Sequence, residues 1–233
     1  MLDELIKPPF LGFSPEAIKF FKALSNKRNN NKKWFDKHRE EYEVYIKQPM
    51  KDLIDALAVE IKKIDKDIVV NYKSIFRINR DIRFTKDKTP YKNYASAAFA
   101  FNKVKSSEIP QFYFHFTPDE FLVAGGQYST DLNNLKKIRS YIFKNYKQYL
   151  KVIDNKEIKK EYGEVLGIKA VKTPRGYENI TDKRLQEILK MTQFYIEKQY
   201  EVDVIYDASI VELIVHHLKL MRDFIKFLDD AIK

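Results

Sequence analysis

The stretch SIFRINRDIRFTKDKTPYKNY, residues 74–94, decides how this chain is read. Before it, apolar residues recur every three or four positions; within it, Phe76, Ile78, Ile82 and Phe84 alternate with polar residues. That change of period predicts a strand where helices had been expected. Residues 85–92 read as a loop around Thr89-Pro90. Beyond it, residues 94–101 predict a second strand, rich in alanine. Residues 111–116 predict a third, with Phe112, Phe114 and Phe116 on one face and Tyr113 and His115 on the other. Residues 117–120 read as a turn, and residues 121–124 as a fourth strand ending at Gly125-Gly126. Four such segments in succession predict an antiparallel meander.

Upstream, Ser14-Pro15-Glu16 predicts a helix start, with Ser14 as cap and Pro15 tolerated in the first turn. A second helix is expected from about residue 32 to 47, anchored by Trp34, Phe35, Tyr42 and Ile46. Gln48-Pro49 restarts the chain into a third, which carries Leu53, Leu57, Ile61 and Ile64. Downstream, Asp131 caps a long helix to about residue 153, and a short one follows near Glu157. A helix is expected over residues 182–191, a strand over residues 193–202, and a last helix capped by Asp207. The apolar stripe of that last helix admits a coiled-coil seam, but its breadth favours packing on the chain's own core. Strands and helices are segregated, so the expected class is α+β: a central antiparallel sheet, about residues 74–124, packed against N- and C-terminal helices. One domain is expected over residues 1–233, with a short flexible lead over residues 1–12.

Hydrophobic residues make up 44% of the chain, ample for a packed core, and only six glycines and eight prolines argue against long disordered segments. The absence of cysteine excludes disulfides, thiolate catalysis and cysteine zinc sites. The first residues lack a basic region followed by a long apolar run, and no stretch is apolar enough to span a bilayer. A cytoplasmic location without a membrane partner is therefore expected. A net charge of +10 favours phosphates, nucleic acid or acidic surfaces as partners, although lysines spread from Lys7 to Lys233 also read as a solvated surface.

The chain has nine arginines against thirty-four lysines, yet Arg77, Arg80 and Arg83 fall within seven residues, and Lys86, Lys88 and Lys92 follow. Arginine supplies a planar fork of donors that lysine lacks. On a strand, Arg77, Asn79, Asp81 and Arg83 share one face, and Arg80 falls among apolar neighbours, where it needs a carboxylate or an anion. Two readings stand. In one, Arg77, Arg80, Arg83, Lys88 and Lys92 form an anion site, with Tyr91 or Tyr113 stacking on a ring and Arg175, in a second basic turn, closing over it. In the other, Asp81 and Asp87 pair with the arginines as an internal network. His115 is a candidate general acid or base without a visible nucleophile, which leaves open whether the protein is an enzyme. His38, His216 and His217 show no zinc spacing, so no metal is expected, and His217 reads as a satisfied or surface histidine in an apolar helix. Gly125-Gly126 admits a backbone anion site, but a tight turn with positive φ is the better reading. It is neither a Walker loop nor a dinucleotide fingerprint, and no cofactor is expected.

These residues together resemble the domain of unknown function 2461 family. The resemblance rests on Asn30-Asn31, Trp34-Phe35, Arg39 and Tyr42, on residues 76–78 and 80–84, and most specifically on Lys86-Asp87-Lys88-Thr89-Pro90-Tyr91-Lys92. Gly125-Gly126 and residues 174–177 are looser matches. The resemblance implies one α+β domain found widely in bacteria and supplies no catalytic residue; the lysine-, isoleucine- and asparagine-rich usage also fits an AT-rich bacterial genome. The expected function is a soluble binding protein or enzyme for a small phosphorylated or otherwise anionic ligand. The alternatives are a nucleic-acid-binding module and an interaction scaffold with the basic block paired inside.

Overall fold

The computed structural model describes residues 9–106 and 108–233; residues 1–8 of the expected lead lie outside it, while Phe10 is buried with its ring 5.4 Å from that of Phe13. Helix α1, Pro15–Ser25, begins with Pro15 in its first turn, where a missing N–H costs nothing; Ser14 is extended but makes no side-chain cap. The single helix expected over residues 32–47 is three pieces: α2 (Lys32–Lys37), α3 (Arg39–Tyr42) and a π-helical turn (Glu43–Lys47). His38 makes the first break. Its ring stacks on Trp34 at 3.9 Å and reaches the Trp34 carbonyl at 2.8 Å, competing with the helical ladder. Pro49 makes no break, because α4 (Gln48–Ile64) continues straight from Lys47 in helical geometry.

Five strands follow: β1 (Ile68–Val69), β2 (Ala95–Phe101), β3 (Gln111–Phe116), β4 (Glu120–Gln127) and β5 (Phe194–Glu201). They form one antiparallel sheet in the order β1-β2-β3-β4-β5. The expected strand over residues 74–84 is absent. A 3₁₀ turn (Tyr72–Ser74) leads into an extended flap that touches β2 at Ile75 and then doubles back on itself. Within the flap, Lys92 N donates to Ile78 O at 2.8 Å and Arg80 N to Pro90 O at 2.9 Å. Asp81 and Asp87 explain why no ladder forms. Their carboxylates accept from the backbone N–H groups of Arg83 and Thr89, two residues ahead, and such local bonds compete with strand pairing.

Helices α5 (Leu132–Lys144) and α6 (Tyr146–Ile153) divide the long helix expected after Asp131, which does cap the first. Then come α7 (Lys156–Tyr162), α8 (Lys183–Lys190) and α9 (Ile210–Ile232). Ser209, not Asp207, is the cap residue of α9; Asp207 accepts from Ser209 N at 2.7 Å one step earlier.

One face of the sheet carries Phe112, Phe114, Phe116, Phe121, Val123, Phe194 and Ile196, all buried. Helix α9 lies against β3 and β4 there and also meets α4, α5 and α6, so its broad apolar stripe is used inside the chain. Each buried phenylalanine contributes about 1.5–3 kcal/mol. Among the described residues no helix is long and apolar enough to cross a membrane. Among the described residues, no helix residue lines the cleft on the other face of the sheet. The flap runs beside β2, where Phe76 N donates to Ser96 O at 2.9 Å, and the Phe76 ring lies 6.1 Å from that of Tyr113, the cross-strand neighbour of Ala98; Ser96, Ala98 and Ala100 are small and buried.

Candidate functional site

Asn30 holds the flap to the helical layer. Its Oδ1 accepts from Tyr91 N and its Nδ2 donates to Tyr91 O, both at 3.0 Å, and the Tyr91 ring stacks on Phe35 at 4.2 Å. Asn31 caps α2 by accepting from Trp34 N at 3.0 Å. The Asn30-Asn31 pair is therefore a structural anchor, and Tyr91, although it borders a cleft, has a packing role.

Lys92 and Tyr94 line one cleft and stand near two residues of a second, Lys92 5.2 Å from the Phe76 ring and Tyr94 5.7 Å from that of His115. The first, about 520 Å³, is polar and includes Arg80, Asp81, Asp87 and Thr89 in its lining. Arg80 is paired: its guanidinium donates to Asp87 Oδ2 at 2.7 Å, to the Thr89 carbonyl at 3.1 Å and to the Thr89 hydroxyl. The Thr89 N–H and the Arg80 guanidinium hold the Asp87 carboxyl down at about 2. Arg83 forks onto Asp81 through Nε at 3.0 Å and Nη2 at 2.7 Å, and this holds Asp81 at about 2 as well. Lys88 donates to the Ile82 carbonyl at 2.9 Å. Arg83 and Lys88 thus belong to the exposed tip of the flap, beside Phe84, and Arg175 lies exposed in the loop after α7; none of the three lines either cleft.

Arg77, Lys92 and Lys105 form a different group. Lys92 Nζ stands 5.2 Å and Lys105 Nζ 4.8 Å from the centre of the Phe76 ring. Burial, then the nearby charges of Arg77 and Lys105, push the Lys92 ammonium pKa down. Among the described residues none of these three cations has a carboxylate within ion-pair distance. Lys105 lies outside the basic block, and no local pattern marked it.

Phe76 opens onto the second cleft, a trough of about 430 Å³ on the uncovered face of β3, β4 and β5. Strand register builds its floor. Gln111 faces Gly126, which faces Tyr195; Tyr113 faces Ala124, which faces Glu197. The centre is therefore low and the sides high. Gly126 holds φ +127, and a Cβ there would overlap the Phe194 carbonyl; a Cβ on Gly125 would lie 2.7 Å from Met221 Sδ. The pair sits inside β4 rather than in the turn expected of it, and it serves close packing.

At one end of the trough, His115 stands between Tyr113 Oη and a Glu120 carboxylate oxygen, each at 3.1 Å. An ionised Glu120 sets the Nε2–H tautomer, leaving Nδ1 to accept from the Tyr113 hydroxyl. Burial keeps the Tyr113 phenol protonated by raising its pKa. On the core side, His217 is fully buried and both its nitrogens meet tyrosine hydroxyls, Tyr162 and Tyr200, at 2.6 Å. That satisfied histidine belongs to the fold.

Sequence reasoning missed Gln111, Tyr195 and Glu197 as trough residues. Alternation marks Tyr195 and Glu197 as sharing a face, but nothing local says which strand lies beside them.

Residues 16–227 match the family described as conserved hypothetical protein (DUF2461), and the chain belongs to it. No curated protein matches the sequence.

Proposed function

We propose that this member of the family binds a small anionic molecule on the open face of its sheet, with the phosphate or carboxylate held by Arg77, Lys92 and Lys105. The observation that carries the reading is the grouping of Lys92 and Lys105 at the Phe76 ring, with the Arg77 charge felt at Lys92 and, among the described residues, no carboxylate within ion-pair distance of the three. Like charges held together on a partly desolvated rim repel, and a bound anion relieves that repulsion. Arg80 stands apart from this role, since its Nη1 is turned to Asp87 and Thr89 in the other cleft. The trough beside the cations offers apolar and aromatic walls for the rest of the ligand.

Nucleic acid is the second reading. It is favoured by Phe84, 93% exposed at the flap tip with the Arg83 guanidinium 5.5 Å from its ring.

Calorimetric titration with inorganic phosphate, sugar phosphates, carboxylates and short oligonucleotides separates the two. A pocket holding one anion loses little affinity as salt rises, whereas contact with many phosphates loses it steeply. Arg77→Ala is expected to weaken small-anion binding about tenfold or more, and Arg77→Lys to recover part of it. Lys159, in α7 and outside both clefts, is the control. Equal sensitivity at Lys159 and Arg77 would sink the pocket reading.

A further inference from the structure

We infer that the trough takes a flat heteroaromatic ring with adjacent N–H donors, so that the anionic ligand is a nucleotide of guanine type. The inference rests on the anion site proposed above and adds the other half of the ligand.

The floor leaves room for a ring. Between Gln111 and Tyr113 on β3 and Tyr195 and Glu197 on β5, β4 presents Gly126 and Ala124, so nothing larger than a methyl group rises from it there; Leu122, one pair further along between His115 and Gln199, closes that end of the trough. Strands lie about 4.8 Å apart, so the side chains of β3 and β5 stand about 10 Å from one another. A planar ring needs about 3.5–4 Å from each neighbouring surface, and this gap accepts one ring system. Aromatic surface is at hand on both sides. Tyr113 rises from β3, and Tyr195 from β5 with Tyr128 edge-on to it at 5.2 Å.

The walls ask for donors. Gln111 Oε1 is buried without a hydrogen-bond partner. Glu197 is half-buried on the opposite side, and no cation lies within ion-pair distance of it among the described residues. Its neighbour Lys198 turns to Glu161 instead, at 3.4 Å. A buried acceptor left unpaired is costly, and a rotation of the Gln111 amide towards the trough would let a ligand N–H remove that cost. A carboxylate accepts two parallel N–H bonds. Guanine presents such a pair, a ring N–H beside an amino group. Adenine presents an amino group beside a bare ring nitrogen, whose lone pair would face the carboxylate and be rejected.

Polarity sets the direction. The cations gather at Phe76, whose ring lies 6.1 Å from that of Tyr113, on the β3 side of the trough. Glu197 stands across Ala124 from Tyr113. A ligand spanning the trough therefore needs an anionic end towards β2 and a donor end towards β5, which is the arrangement of a nucleoside monophosphate.

Calorimetry with guanosine monophosphate, guanosine, adenosine monophosphate and ribose 5-phosphate tests this, on wild type, Glu197→Gln, Gln111→Ala and Arg77→Ala, each checked for an unchanged melting curve. Guanosine monophosphate is expected to bind at least tenfold tighter than adenosine monophosphate. Glu197→Gln should cost tenfold or more with guanosine monophosphate and guanosine, and nothing with ribose 5-phosphate. Arg77→Ala should weaken all three phosphates and leave guanosine unchanged. Gln111→Ala gives an independent reading of the ring site should Glu197→Gln melt early. Ribose 5-phosphate binding as tightly as guanosine monophosphate, or equal binding of the two nucleotides, overturns the ring assignment and leaves the anion site standing. Guanosine lost in Glu197→Gln with no effect of Arg77→Ala on any phosphate supports the ring assignment and overturns the anion site. Binding of none of the four overturns the nucleotide.

Discussion

The side-chain amide of Asn30 grips the backbone of Tyr91 from both sides, accepting from its N–H and donating to its carbonyl, each at 3.0 Å. Asn30 Nδ2 also reaches the Leu24 carbonyl at 3.2 Å, so one buried side chain ties α1, the loop after it and the flap together. Asn30→Ala leaves three backbone groups without this partner and should cost about 1–3 kcal/mol in denaturant unfolding. Amide exchange at Arg80 and Lys92, whose N–H groups donate within the flap, should quicken more than exchange in β3. A uniform change across the chain would show that Asn30 does not anchor the flap.

His217 makes stability depend on pH. Burial, joined by the charges of His216 and Lys198 and opposed by Glu161, lowers its pKa from 6.5 to about 4. The unfolded chain therefore binds this proton first. The contribution is present in full above pH 6.5 and is lost as pH falls towards 4, by on the order of 3 kcal/mol. His217→Gln should lower stability at pH 7 and flatten the profile between pH 7 and 4. A profile that keeps its slope in the variant assigns the effect to another group.

Gly126 and Gly125 should tolerate alanine differently. Gly126→Ala meets both a positive φ and the fixed Phe194 carbonyl, and a loss of about 3 kcal/mol or more is expected. Gly125→Ala meets chiefly the Met221 thioether, a side chain able to shift, and should cost less. Melting temperatures in the reverse order would contradict the packing described for β4 and α9.

Arg80→Met should raise the Asp87 pKa from about 2 only part of the way to 3.8, because the Thr89 N–H bond is the larger cause of its depression. Carboxyl carbon titration by NMR reads this directly. No movement would mean that the pair at 2.7 Å does not persist in solution.

Much of the fold was legible locally. Alternation in residues 111–116, alanine richness in residues 94–101 and the cap at Asp131 are properties of neighbouring residues, and the same strands and side-chain bond appear in the structure. The family blocks were legible too, although the Asn30 block turned out to serve packing. Residues 74–84 misled because their period is that of a strand, while the carboxylates of Asp81 and Asp87 satisfy the backbone groups that a ladder would use. The basic block divided for a related reason: in three dimensions Asp81 and Asp87 take Arg83 and Arg80, while Arg77 and Lys92, without an ion pair among the described residues, are joined by Lys105 from another loop. The sequence by itself determined the class of the fold, most of its elements and the presence of concentrated positive charge, since period, propensity and charge act over a few residues. Only the tertiary structure decided the site. Antiparallel register brings Tyr195 and Glu197 beside residues 111–126, from which they are far apart in the chain, and cross-strand neighbours follow from pairing rather than from any local pattern.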